Sequence, residues 1–124
     1  MKTAKLLTAI TISVLLNLPS ASAQEDIVEG KWTENTQWCS DKSAGATITS
    51  KSYEEHEFRC LFEGGDMSDP RHWIMKGRCE EAGEYEDGST PPLVQIDLEV
   101  NTGVLAVKIY DNKYKPWSFA IKCP

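Results

Sequence analysis

Residues 94–110 read Val94-Gln95-Ile96-Asp97-Leu98-Glu99-Val100, then Asn101-Thr102-Gly103, then Val104-Leu105-Ala106-Val107-Lys108-Ile109-Tyr110. Apolar and polar residues alternate strictly through the first run, which is the pattern of a strand with one buried face. The return run repeats it, with Leu105, Val107 and Ile109 on the apolar side. Between them Asn-Thr-Gly predicts a three-residue hairpin loop, with Gly103 where a positive φ is needed. Two strands and their turn are thus written in 17 consecutive residues.

The same period recurs on either side of this hairpin. Trp73, Met75, Gly77 and Cys79 alternate with Ile74, Lys76 and Arg78, and Phe58, Cys60 and Phe62 flank Arg59 and Leu61. Ala46 and Ile48 alternate with Thr47 and Thr49, and Trp117, Phe119, Ile121 and Cys123 with Ser118, Ala120 and Lys122. Turns are expected near Lys51, at Gly64-Gly65 and at Asp111-Asn112-Lys113. The stretch Tyr85-Glu86-Asp87-Gly88-Ser89-Thr90-Pro91-Pro92 is the plainest loop. After residue 23 no apolar recurrence at three and four persists beyond two turns, so helix is not expected. Six or seven strands fit an all-β, antiparallel meander. At this size it protects its edges by closing into a small barrel, with a compact β-sandwich as the alternative. Phe58, Trp73, Met75 and Trp117 would fill so narrow a barrel and leave no lipocalin-like cavity.

The first 23 residues are of another kind. Lys2 and Lys5 precede an apolar run from Leu6 to Leu16, and Pro19-Ser20-Ala21-Ser22-Ala23 follows. This predicts a signal peptide over residues 1–23, cleaved before Gln24, and a single small β domain over 24–124. The whole chain has 124 residues, 13 basic and 19 acidic side chains, and a net charge of −6. The leader holds two of the basic residues and no acidic one, so its removal leaves 101 residues at −8. That charge argues against nonspecific nucleic-acid binding. No second apolar stretch offers a membrane anchor, and Gln24 stands where a lipoprotein would have cysteine. A soluble, monomeric protein of the periplasm or the medium is expected, with residues 24–28 as a mobile lead-in.

In that oxidising compartment four cysteines read as two disulfides. No C-x-x-C spacing suggests a zinc knuckle or a redox pair. Alternation places Cys60, Cys79 and Cys123 on core faces. If residues 46–50 and 53–62 form one hairpin, Cys60 falls opposite position 42, within reach of Cys39. If the next hairpin turns at Gly64-Gly65, Cys79 falls opposite position 54, far from Cys60. The expected bridges are therefore Cys39–Cys60 and Cys79–Cys123.

No Gly-x-Ser-x-Gly, His-Glu-x-x-His, P-loop or dinucleotide motif occurs, and no cofactor or resident metal is expected. His56, within Glu54-Glu55-His56-Glu57, and His72 fit no metal spacing and read as surface residues. Asp66-Met67-Ser68-Asp69 sets two carboxylates in one turn but lacks the further spaced oxygens of a calcium loop. The acidic residues are unevenly spread. Glu80, Glu81, Glu84, Glu86 and Asp87 fall within eight positions, and pairing of neighbouring strands would add Glu54, Glu55 and Glu57. Such a face solubilises, and it also steers a basic partner. Trp38, beside Cys39 and outside any alternation, is the candidate aromatic contact of that face.

The layout Gly30-x-Trp32, Trp38-Cys39, Cys60, Trp73 leading to Gly77-x-Cys79, and Cys123 resembles small exported disulfide-bonded β-proteins of Gram-negative bacteria of uncharacterised function. The chain is also similar, more distantly, to the periplasmic inhibitors of C-type lysozyme. That family carries a Ser-Gly-x-x-Tyr type loop; Ser43-Ala44-Gly45 lacks the following Tyr, so its inhibitory residues do not carry over. The resemblance implies an acidic envelope protein meeting a cationic one. The expected function is a non-enzymatic binding or inhibitor-type module of the bacterial envelope, for a basic envelope or host protein. A small-ligand or metal-binding barrel and a purely structural role are the alternatives.

Overall fold

The computed structural model describes residues 27–124. These hold nine strands: β1 (Gly30–Thr33), β2 (Ala46–Ile48), β3 (Ser52–Glu55), β4 (Phe58–Asp69), β5 (His72–Glu81), β6 (Leu93–Asn101), β7 (Val104–Ile109), β8 (Trp117–Phe119) and β9 (Ile121–Lys122). One 3-10 turn, Thr36–Trp38, is the only helical element among the described residues. The expected leader and its cleavage site lie outside them. Each strand pairs antiparallel with its neighbour in sequence, except that β9 lies beside β1. Only Ala120 separates β8 from β9. The run 117–122 therefore pairs with β7 through its first half and with β1 through its second. That bent run draws both edges of the meander into a nearly closed barrel, as expected, rather than a sandwich.

Alternation gives the core. Ile96, Leu98 and Val100 face inward from β6, and Leu105, Val107 and Ile109 from β7. Trp32, Ile48, Tyr53 and Met75 are fully buried between them, so the interior is packed side chain. The β6–β7 hairpin is tighter than expected. Asn101 pairs with Val104, and the loop is Thr102-Gly103 alone, at φ 50 and 78. Two successive positive φ values are those of a type I′ turn, whose twist matches that of the strands it joins.

The disulfides differ from expectation. Cys39 joins Cys123 and Cys60 joins Cys79, with Cα separations of 5.5 and 4.0 Å. Three local features replace the expected Cys39–Cys60 and Cys79–Cys123. The chain reverses at His56-Glu57, where Glu57 takes φ 61, so residues 53–62 are two strands and Cys60 faces Tyr53. Gly64-Gly65 is not the next turn. The register shifts there between Phe62 and Gly64, and the strand continues to Asp69 before turning at Pro70-Arg71, which sets Cys79 opposite Cys60. Finally, alternation slips by one at Ala120. Ile121 lies opposite Thr33, and Lys122 opposite the buried Trp32. Cys123 thereby leaves the core face and meets the loop 34–45 outside β1, where the Thr33 hydroxyl lies 3.7 and 3.8 Å from the two sulfurs. Two bridges mark a chain of an oxidising, non-cytoplasmic compartment. No helix among the described residues is long and apolar enough to cross a membrane.

Antiparallel order sorts the connections onto two ends. Turns 49–51, 70–71 and 102–103 share one end with residues 27–29; loops 34–45, 56–57, 82–92 and 110–116 share the other. The first end is sealed. Val28, expected in a mobile lead-in, is fully buried, and its N–H donates to the Pro70 carbonyl at 2.8 Å. Its carbonyl accepts the Trp32 indole N–H at 2.9 Å. The Lys122 ammonium donates to the Ile27 carbonyl at 2.9 Å and lies 5.7 Å from the Trp32 ring centroid.

Candidate functional site

The opposite end is left open, and the acidic residues gather there. Strand register makes the outer row Glu54, Arg59, Glu80, and beside it the row Glu55, Phe58, Glu81. The turn 56–57 adds His56 and Glu57, and the loop 82–92 adds Glu86. Two adjoining depressions of about 700 and 520 Å³ open between these residues and share Glu55, Glu57, Phe58 and Glu81. The larger runs toward Lys42 and Gly45 of the loop 34–45, and the smaller toward Tyr114 and Trp117.

Charge within the group is only partly balanced. Arg59 donates to the Glu80 carboxylate at 2.9 Å. Lys113 donates to Glu84, and this contact holds the Glu84 carboxyl below its ordinary range. Glu54, Glu55, Glu81 and Glu86 carry no Lys or Arg within 4.0 Å among the described residues; Glu57 has only His56, at 3.9 Å. The rim thus keeps more glutamates than cations, with Lys42 lining the larger depression and Lys113 and Lys115 the smaller.

The smaller depression has an aromatic wall. Phe58 stands edge-on to Tyr114 and Trp117, with centroids 5.4 and 6.2 Å away, and Tyr53 packs beneath at 6.0 Å from Trp117. The Trp117 indole N–H donates to the Tyr53 hydroxyl at 2.8 Å. Burial pushes the Tyr53 phenol far above its usual range, and the charge of the Glu55 carboxylate adds to the rise. Burial also raises Glu55, against the lowering effect of the Tyr53 hydroxyl. The indole–phenol hydrogen bond thus ties the aromatic wall of the depression to the core.

Among the residues expected on a partner face, Glu54, Glu57, Glu80, Glu81 and Glu86 line the larger depression together. Glu84 is turned to Lys113 instead. Asp87 lies off the rim and closes a turn, accepting from the Ser89 N–H and hydroxyl at 3.0 and 2.6 Å. Trp38 is 43% exposed on its 3-10 turn but lines neither depression. The two histidines do not converge: His72 begins β5 and His56 neighbours its far end at Glu81. Asp66 and Asp69 close turns through the N–H groups of Ser68 and Arg71, both at 2.9 Å. No three of His, Cys, Asp and Glu among the described residues are placed to hold a metal ion. The residues that sequence reasoning missed are Tyr53, Tyr114 and Lys113, together with Phe58 and Trp117, which read as core filling.

The open end can offer a cationic group carboxylates at its rim and ring faces below them. No protein family, no curated protein and no solved structure matches the chain.

Proposed function

We propose that this is an exported, non-enzymatic binding or inhibitor-type module of the bacterial envelope whose open barrel end docks a cationic protein. The observation that carries this reading is the convergence of unneutralised glutamates from β3, the turn 56–57, β5 and the loop 82–92 around a concave surface. Charge of one sign over a cleft raises the on-rate of an oppositely charged partner and makes it salt-dependent. The basic leader, the charge of −6 and the absence of a recognised catalytic motif agree with it. A ligand held inside the barrel finds no room, because Trp32, Tyr53 and Met75 fill it.

The test is capture from envelope extract at low salt on the immobilised protein, beside its Glu54→Gln/Glu57→Gln/Glu81→Gln variant. One basic protein retained by the first, lost from the second and released as salt rises is the expected outcome. Retention by both alike, or nothing retained at any salt, sinks the proposal.

A further inference from the structure

We propose that the Cys39–Cys123 bridge is a redox latch on the open end: an external dithiol opens it and frees the loop 34–45, while Cys60–Cys79 and the barrel stay intact. Access separates the two bridges first. Cys60 is fully buried and Cys79 is 5% exposed, whereas Cys39 and Cys123 are both half-buried outside β1. Exchange requires a thiolate to reach a sulfur, so the accessible bridge is the labile one. The incoming thiolate bonds one sulfur of the bridge and expels the other. The dithiol's second sulfur then displaces the first cysteine and closes a disulfide of its own. The dithiol gives up two electrons, and Cys39 and Cys123 end as thiols carrying its two protons.

The bridges differ also in what they hold. Cys60 and Cys79 already face each other in the long β4–β5 ladder, so their bond repeats a contact that the sheet makes. Cys39 belongs to a loop in which no residue from 34 to 45 is buried. The Lys31 ammonium donates to the Cys39 carbonyl at 3.0 Å and to that of Asp41, and the Thr33 hydroxyl to the Asn35 carbonyl at 2.8 Å. The covalent tie is thus set against a few hydrogen bonds at the loop's foot. Strand β9 keeps other holds. It pairs with Trp32 and Thr33, the Cys123 N–H donates to the Lys31 carbonyl at 2.8 Å, and the Lys122 ammonium reaches Ile27. Scission therefore leaves the closing run in place and returns chain entropy to the loop. That loop supplies Lys42 and Ala44 to the larger depression, which Glu54, Glu57 and Glu81 also line. The bearing of the latch on a partner rests on the reading of this end as a partner-binding face. Release withdraws Lys42 and leaves the depression more negative.

The oxidised protein is treated with dithiothreitol under native conditions, quenched at intervals with iodoacetamide and read by peptide mass spectrometry. Cys39 and Cys123 are expected to alkylate at least about tenfold faster than Cys60 and Cys79. In the ¹⁵N-labelled protein, the Cys39, Asp41 and Ala44 amides bond the Thr36, Trp38 and Asp41 carbonyls. After partial reduction they should exchange at least about tenfold faster, with β6 and β7 amides unchanged. Cys39→Ser/Cys123→Ser should show the same pattern without reductant; the timed reduction decides the matter if that variant does not fold. Equal alkylation of the four cysteines, unchanged loop amides, or loss of protection across β6 and β7 overturns the latch. Hexalysine tests the bearing on a partner separately. It should shift the Glu54, Glu57 and Glu81 amides and bind about twofold more tightly after reduction, the size of one exposed charge term. Equal affinity in both states overturns the coupling alone. No shift in either state overturns the partner face, and the latch is then judged by alkylation and exchange.

Discussion

One meander makes both ends of this barrel, yet they are finished in opposite ways. At the sealed end, short turns and Val28 close the opening, and Trp32 and Lys122 spend their polar atoms on backbone carbonyls. At the open end, the loops 82–92 and 110–116 meet through Lys113 and Glu84, rings are half buried, and glutamates outnumber the lysines and arginines beside them. At the first end Val28, Trp32 and Lys122 are paired with backbone carbonyls, although the buried Trp73 indole N–H has no partner among the described residues. At the second, several glutamates have no Lys or Arg beside them among those residues. Close packing and the proposed recognition thereby fall to different ends of the same strands.

The contrast is broken most forcefully with the two tryptophans. Trp32→Ala, in the sealed end, should cost about 3–5 kcal/mol in urea unfolding, since it empties a fully buried site. Trp117→Ala, at the half-buried wall, should cost less than half of that, about 1–2 kcal/mol, while abolishing the ring face of the depression. Equal losses would mean that both ends carry the core alike.

A smaller effect of opposite sign is expected from the rim. Replacing Glu54, Glu57 and Glu81 together by Gln relieves like-charge repulsion and should raise stability at low salt by about 0.5–1 kcal/mol. The gain should fade as screening shortens to a few ångströms near 1 M salt. A stability loss that persists in high salt would show that these carboxylates are structural.

The finest measure is Glu55 alone. Burial raises its carboxyl above the ordinary 4.5, so the folded chain holds that proton more tightly than the unfolded chain does. Its contribution is fully present below that ordinary value and is lost as pH rises through the raised one. Glu55→Gln keeps the shape of the side chain and needs no ionisation. It should therefore stabilise by less than about 1 kcal/mol at neutral pH, with the advantage disappearing as pH falls below about 4. A difference that stays constant with pH would show a fully solvated carboxyl.

How far these features could be read from the chain depends on length and period. Strands β5, β6 and β7 carry three or more inward residues each, and a period of two then writes both faces. Strands β1, β8 and β9 span two to four residues, too few to show a period. Gly64-Gly65 was ambiguous because glycine serves a turn and a bulge equally, and Glu57 adopts a positive φ without the glycine that would announce it. The disulfides failed on those points and on the one-residue slip at Ala120. Part of the site was visible as a charge run at 80–87, but only register sets Glu54 and Glu55 beside it. The aromatic wall had no signal of its own. Phe58 and Trp117 obey core alternation, and Tyr114 sits in a loop.

The bent run 117–122 also sets an order of assembly. In a chain made from its N-terminus, β1 can pair with β2 early, but its other edge has no partner until that run arrives. Cys60 finds Cys79 after 19 residues, whereas Cys39 must wait 84 for Cys123. In the interval Cys39 is an unpaired thiol beside a bare strand edge, exposed to the wrong sulfur and to the wrong strand. Closure of the barrel and protection of that thiol are one event, and it comes late.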